Sequence, residues 1–177
     1  TAYAVDDYLV GQYNPTLSGP WYVRGTNFGL TQPVIVAGNL NYPGLPGSTG
    51  NSVACAPADA SSACVDLNLP AQHTETVYYS FLLKITDLSA VPVYATNNPI
   101  AAFLDDPGLN FSGARIARLG SRLVTKKVGA GYVLGIGRSA SIPDFAYESD
   151  GDAHLINEVL FVVGCYQRIA NVQTNVS

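Results

Sequence analysis

The chain has 177 residues, which is enough for one hydrophobic core of full size and too few for two ordinary domains. We therefore treat residues 1–177 as a single domain. Only 12% of the residues are charged, against about 25% in an average soluble domain, and the formal net charge is −4. This balance argues against nucleic acid and anionic membranes as partners, because both attract basic surfaces.

Low charge is accompanied by 17 glycines, 11 prolines and 11 tyrosines. This combination is typical of an all-β protein that is secreted or displayed at a cell surface, or of one whose outer face is covered in an assembly. The sequence contains no methionine, so we expect Thr1 either to follow a removed leader or to begin a fragment. We expect no membrane insertion, since the apolar runs are too short to span a bilayer as helices.

Short apolar runs separated by turn residues recur along the chain and predict strands. In order, they are AVDDYLVG, WYV, PVIVAG, NLNYPG, VDLNL, TVYYSFLLKITDL, PIAAFL, ARIARL, SRLVTKKV, GYVLGIG and HLINEVLFVVGCYQRIANV. Residues 76–88 form the longest predicted strand, with one almost wholly apolar face. That face carries Val77, Tyr79, Phe81, Leu83 and Ile85. An antiparallel β-sandwich with this strand at its centre is the expected architecture.

Glycine recurs in the phrase GYVLGIG, residues 131–137, which has two interpretations. A phosphate-binding loop would need a helix directly after the glycines. The following residues, RSASIP, contain a proline and are typical of a turn. We therefore predict a strand in which glycine marks the close approach of another backbone or a ligand.

Several of these phrases resemble the LamG-like domains, which are concanavalin A-type jelly rolls of bacterial secreted and surface proteins. They are NLNYPGL, TVYYSFLLKITDL, ARIARL followed by GYVLGIG, and LFVVGCYQRI. The resemblance covers most of residues 6–169 and rests on strand patterns. It implies an all-β, antiparallel two-sheet jelly-roll sandwich. It implies no single function, because lectins, hydrolases and structural modules share this architecture.

Relatives of this kind have a further strand after the one that ends here near Ile169, whereas this chain stops at TNVS. Four explanations stay open: the sandwich lacks a C-terminal strand, the sequence is a fragment, a disordered tail was omitted, or residues 1–10 occupy the gap. In the first case a neighbouring copy would complete the sheet, with residues 1–10 as the strand-exchange segment. Head-to-tail exchange of this kind would build a filament.

Three cysteines and two glycosylation patterns bear on whether the chain is exported. Cys55 and Cys64 bracket the short polar loop APADASSA, and we predict a disulfide between them, which suits an oxidising compartment. Cys165 lies in an apolar strand, where it is either a buried thiol or bonded to another chain. Asn110 and Asn175 begin the acceptor patterns NFS and NVS.

The acidic stretch ESDGD is the strongest candidate for chemistry. Glu148, Asp150 and Asp152 nearly copy the Glu-x-Asp-x-Glu pattern of jelly-roll glucanases, whose carboxylates act as nucleophile and general acid. The intervening Ser149 and Gly151 are typical of a turn and not of a catalytic strand, so we expect no enzyme activity.

A Ca²⁺ site is a better use of these carboxylates, because this ion takes several oxygens from flexible loops rich in Asp and Gly. Asp105 and Asp106 form a second acidic turn that would join the site or stand alone. A solvated turn without a metal remains the alternative. We treat His73 and His154 as isolated surface residues.

Two further groups of side chains are expected at the surface. A basic cluster is expected on the solvated side of two strands and comprises Arg115, Arg118, Arg122, Lys126 and Lys127. Tyr132 and Tyr147 are expected to be exposed, where a ring can stack on a sugar.

Three functional classes remain. The first is a non-catalytic structural or adhesive subunit of an extracellular filament or surface layer, with copies of itself as partners. The second is a calcium-assisted carbohydrate-binding module, and the third is a glycoside hydrolase of the jelly-roll glucanase type. Low charge, an odd cysteine count and an incomplete sandwich favour the first.

Overall fold

The computed structural model describes residues 3–9, 11–14, 19–24, 33–55, 64–66, 76–89, 91–93, 100–104, 119–137 and 145–167. Within these ranges the chain forms twelve β-strands and one turn of 3₁₀ helix, at Asp150–Asp152. The strands are β1 Tyr13–Asn14, β2 Gly19–Pro20, β3 Tyr22–Arg24, β4 Val34–Val36, β5 Ser52–Ala54, β6 Cys64–Asp66, β7 Thr76–Lys84, β8 Ala101–Leu104, β9 Leu119–Val128, β10 Gly131–Gly137, β11 Phe145–Tyr147 and β12 Val159–Gln167. No helix in the described part of the chain is long and apolar enough to cross a membrane.

Every strand pairing among the described residues is antiparallel, and these residues form strands without an α-helix, which agrees with the predicted all-β class. The largest sheet has four strands in the order β11-β10-β9-β8. β9 and β10 are joined by a tight turn in which Gly129 has a φ of 57°. The other pairs are β1 with β2, β3 with β6, β4 with β5, and β7 with β12.

The core joins the four-stranded sheet to the β7–β12 pair. Its buried members are Leu123, Tyr132, Leu160 and Val162. The β7 side chains packed against them include Tyr79, Phe81 and Leu83, followed by Ile85 just past the strand. These residues belong to the apolar face predicted for residues 76–88, so the direction of that face is confirmed. The strand itself is shorter than predicted and ends at Lys84.

The phrase GYVLGIG is strand β10, as predicted, and two of its three glycines lie beneath aromatic rings. Gly135 is paired with Tyr147 across the sheet, and Gly137 is paired with Phe145. A Cβ atom at either glycine would collide with the ring of its partner. At these two positions the close neighbours are side chains of β11, which cover backbone that glycine leaves bare. At Gly131 the close neighbour is the backbone carbonyl of His154, as predicted for a glycine approached by another backbone.

The N-terminal segment lies along β4 of its own chain. Asp6 N–H donates to the Ile35 carbonyl at 2.8 Å, Ile35 N–H donates to Asp7 at 2.9 Å, and Leu9 N–H donates to Pro33 at 2.9 Å. Tyr8 is directly opposite Val34 in this antiparallel pairing. Leu9 and Ile35 are buried at 4% and 1% exposure, so the segment is also held by apolar contact.

Candidate functional site

The acidic loop between β11 and β12 is attached to β10 at two points. At its start, Glu148 N–H donates to the Leu134 carbonyl at 2.9 Å. At its far side, Tyr132 and His154 exchange two backbone hydrogen bonds, of 3.0 and 2.8 Å. The chain between these points leaves the sheet and forms the 3₁₀ turn at Asp150–Asp152. The loop is therefore an excursion from one edge of the sheet.

The Glu148 carboxylate completes the hydrogen bonding of β10 where the loop leaves. Its Oε2 accepts from Leu134 N–H at 2.8 Å, in place of the backbone carbonyl that a continued strand would offer. The same oxygen lies 3.1 Å from His154 Nε2. Glu148 thus satisfies a backbone donor and contacts an imidazole at once. This is a structural use of a carboxylate that was predicted as a calcium ligand.

His154 lies between two carboxylates and is not isolated as expected from the sequence. Its Nε2 faces Glu148, and its Nδ1 lies 3.6 Å from Glu158 Oε2. Glu158 Oε2 also accepts from Leu155 N–H at 3.2 Å. Because the two carboxylates approach opposite ring nitrogens, a proton on either nitrogen meets an acceptor. In the sequence, the contact between His154 and Glu158 could have been found from the phrase HLINE, in which the two residues are four positions apart.

The 3₁₀ turn is organised by short local contacts and by one lysine. Ser149 Oγ accepts from Gly151 N–H at 3.3 Å, and the Ser149 carbonyl accepts from Asp152 N–H at 2.9 Å. Asp150 Oδ1 lies 3.0 Å from Lys126 Nζ on β9. The turn that the composition of ESDGD predicted is therefore confirmed.

Calcium binding by this loop stays a prediction. Among the described residues, no three His, Cys, Asp or Glu side chains are grouped so that they would hold a metal ion. Glu148 faces Leu134 and His154, whereas Asp150 faces Lys126, so a cation would have to displace those donors. Asp105 and Asp106 lie outside the described residues.

The exposure expected for Tyr132 is wrong. Its side chain is 0% exposed because β10 directs it into the core, towards Leu160 and Val162. Burial, with smaller contributions from the charges of Glu158 and Glu148, raises the pKa of Tyr132 to about 12. Within the described residues its Oη has no hydrogen-bond partner. Tyr132 is therefore a core residue in this structure.

Tyr147 is half-buried rather than freely exposed. Its ring lies over Gly135, and Lys126 Nζ is 5.2 Å from the ring centroid. This distance is within the range of a cation–π interaction. One face of the ring is thus occupied by the protein itself.

The basic cluster is also different from the expected solvated face. Arg122 is 0% exposed, and its guanidinium carbon lies 4.6 Å from the centroid of the Phe145 ring. Arg122 and Lys126 lie on one face of β9 and Lys127 on the other, since side chains alternate along a strand. β9 is an inner strand with β8 and β10 on either side, and the ring of Phe145 on β11 lies over the Arg122 guanidinium. Arg115 and Arg118 lie outside the described residues.

The cysteine predictions have different outcomes. Cys165 is exposed, so its expected burial is wrong; the neighbouring Val162 and Gly164 of β12 are the buried ones. Cys55 is exposed just after β5, and the side chain of Cys64 is outside the described part of the structure. The disulfide between Cys55 and Cys64 stays a prediction. The glycosylation candidates Asn110 and Asn175, like His73, lie outside the described residues.

A scan against models of known protein families found no match, and neither curated protein sequences nor solved structures gave one. The resemblance to LamG-like domains therefore stays a prediction from the strand phrases.

Proposed function

We propose that this chain is a non-catalytic structural or adhesive module that assembles with copies of itself outside the cell, in a filament or surface layer. The proposed architecture is the two-sheet jelly roll that the strand phrases imply. A charged fraction of 12% supports a surface that is covered by neighbours, since isolated soluble domains usually carry about twice that fraction.

The observation that carries this proposal is the way residues 6–9 are added to the edge of β4. The pairing consists of three backbone hydrogen bonds and the buried side chain of Leu9. Strand addition of this kind uses backbone groups that every copy of the chain carries. The segment of a neighbouring copy is thus an equivalent occupant of the same edge.

The contacts at the two ends of the segment are compatible with exchange. Beyond its start, Tyr3 is held by side chains: its carbonyl accepts from Asn51 Nδ2 at 2.8 Å and its Oη from Trp21 Nε1 at 3.3 Å. After its end, Gly11 has a φ of 85°, a backbone conformation that glycine adopts without strain. Exchange would keep the pairing of residues 6–9 with β4, while the chain would leave the segment in another direction. The cost would be the two hydrogen bonds at the exit, from Gln12 N–H to the Leu9 carbonyl and from Gly11 N–H to the Trp21 carbonyl.

A cysteine pair at Tyr8 and Val34 tests the exchange, because these residues face each other across the pairing. Assembly by exchange predicts that oxidation of Tyr8→Cys/Val34→Cys links different chains, giving a ladder of covalent oligomers on a non-reducing gel. A pair in which both residues belong to the β4–β5 pairing, Val36→Cys/Ser52→Cys, is the matched control and should link within one chain. The unchanged protein, run beside both, shows what its native cysteines contribute.

The wider function is tested by the native material. We expect electron micrographs of the purified chain to show filaments or a lattice. A chain that stays monomeric at the highest soluble concentration contradicts self-assembly. If the sample assembles but the Tyr8→Cys/Val34→Cys disulfide forms within one chain, only the exchange mechanism is contradicted.

Carbohydrate binding is the second candidate, and the exposure of Tyr78 favours it. This side chain is 67% exposed on β7 and offers a ring face to a sugar. Binding of the monomer on a glycan array, lost in Tyr78→Ala and kept in Tyr132→Phe, would support this function over assembly.

A further inference from the structure

The outer face of the β7–β12 pair is apolar and open to solvent. Along β12, Leu160 and Val162 are buried, so the alternate residues point away from the core. Six positions form this face as three cross-strand pairs: Phe161 with Leu82, Val163 with Ser80, and Cys165 with Tyr78. Tyr78 is 67% exposed, Val163 56% and Phe161 40%. We call these six residues the outer ribbon face.

The arrangement of large and small side chains on the outer ribbon face is self-complementary. The two bulky aromatic residues, Tyr78 and Phe161, lie on different strands and at opposite ends of the face. A two-fold axis parallel to the strands, between two copies packed face to face, places Tyr78 opposite Cys165 of the second copy. It likewise places Val163 opposite Ser80. Tyr78 and Val163 then each meet a smaller side chain, and Phe161 meets Leu82, an arrangement in which the two faces can interdigitate.

The centre of this contact carries no charge, because none of the six residues is charged. The next residue along this face of β7 is Lys84, paired with Val159; the two-fold axis brings the Lys84 residues of both copies to the same end of the contact, where each side chain is exposed to solvent. At the Phe161 end the face is bordered by the loop that contains Tyr42, whose ring centroid lies 6.0 Å from that of Phe161. This loop is closed by a hydrogen bond of 2.8 Å from Asn39 Nδ2 to the Ser48 carbonyl and provides a polar border.

The size of the surface indicates a weak contact between copies. Tyr78, Phe161 and Val163 leave on the order of 300 Å² of apolar area exposed, so two faces bury about 600 Å² from these residues. A standard specific interface buries at least about 1,200 Å². The contact is therefore insufficient for a stable dimer alone, but it gains from the high effective concentration of copies already joined by strand exchange.

We propose that the outer ribbon face is a contact between two copies of this chain, related by a two-fold axis and used within the assembly. The inference rests on the proposed self-assembly, for which it supplies a second interface. Strand exchange joins copies head to tail, and the two-fold contact joins them side by side. Together they convert single strings of copies into paired filaments or a layer.

A lysine at the centre of the face tests this contact. Val163→Lys places a charge from each copy near the two-fold axis and should weaken self-association at least tenfold, measured by sedimentation equilibrium. Val93→Lys is the matched control, because Val93 is 61% exposed and lies elsewhere; it should change association less than twofold. Circular dichroism and thermal unfolding establish that each variant is folded. Equal association of the two folded variants overturns the proposal.

Carbene footprinting of the unchanged chain gives a second test that does not depend on a variant. We expect labelling of Tyr78, Phe161 and Val163 to fall as protein concentration rises. Association with undiminished labelling there means that another surface is used, which overturns this inference and leaves the proposed function intact. Low labelling of the three residues at every concentration means that the chain covers its own outer ribbon face. Protection of these residues in the monomer by a soluble glycan means that the face binds a sugar. Either result overturns the inference of a two-fold contact. Absence of any association contradicts the proposed function as well.

Discussion

The ring of Tyr147 lies directly over the backbone of Gly135, its partner across the sheet. A Cβ atom added to Gly135 would fall 2.5 Å from Tyr147 Cδ1, closer than real Cβ contacts come. The same relationship recurs at Gly137 with Phe145 and at Gly164 with Tyr79. Each aromatic ring thus covers a strand position where glycine has no side chain, and the packing of both sheets depends on that space.

We therefore expect Gly135→Ala to lower the free energy of unfolding by about 1–3 kcal/mol, because the added methyl group forces Tyr147 from its position. Gly47→Ala is the control, since a Cβ there meets nothing within 4 Å. Urea unfolding measures both. In a Tyr147→Ala background the cost of Gly135→Ala should fall, and an undiminished cost would show that the ring is not the cause.

Glu148 should contribute to stability and not to catalysis. Glu148→Ala removes the acceptor of Leu134 N–H and should lower the free energy of unfolding by about 1 kcal/mol. Glu148→Gln keeps a carbonyl oxygen at that position and should cost less. Asp152→Ala, in the same exposed loop, is the control and should stay within about 0.5 kcal/mol.

Two measurements distinguish these roles. Amide exchange at Leu134 should be faster in Glu148→Ala than in the unchanged chain, with Glu148→Gln between them. A glucanase activity that is present in the unchanged chain and absent in Glu148→Gln would instead identify Glu148 as catalytic.

Tyr132 should make the fold sensitive to alkali. The folded chain raises the pKa of Tyr132 to about 12, whereas tyrosine in an unfolded chain titrates near about 10. The stability associated with the neutral buried phenol is fully present below about pH 10 and is lost as pH rises towards about 12. The loss from this residue should be on the order of 2 kcal/mol.

Tyr132→Phe isolates this effect. At neutral pH it should be within about 1 kcal/mol of the unchanged chain, because the buried Oη has no partner in the described part of the protein. Urea unfolding at several alkaline pH values should show a shallower decline for the phenylalanine variant. Parallel declines in the two proteins would contradict the assignment to Tyr132.

Calcium binding by the 148–152 loop should be limited by Lys126. The Lys126 ammonium occupies the position next to Asp150 that a cation would take, at 3.0 Å. We expect Lys126→Met to raise the calcium affinity of the loop several-fold, measured by isothermal titration calorimetry. Lys127→Met changes the neighbouring lysine on the other face of β9 and should have no effect. Heat of binding that is absent from every variant would remove the calcium prediction.

The strand pattern could be predicted from the sequence because alternation is a local property. Residues 76–84 show an apolar face in the sequence, and Tyr79, Phe81 and Leu83 of that face pack on the core. Glycine within 131–137 predicted a close approach, since only a bare backbone allows one. The turn at 148–152 was likewise predicted from the preference of Ser, Asp and Gly for turns.

The partners of these residues were decided by the tertiary structure alone. Tyr132 and Ile136 share one face of β10, yet Tyr132 is 0% exposed and Ile136 is 43% exposed, because the second layer packs over only one end of that face. Alternation specifies which side chains share a face, since each residue reverses the direction of the next. Whether that face is covered depends on strands far away in sequence, as with Leu160 and Val162 over Tyr132, and no local pattern carries that information.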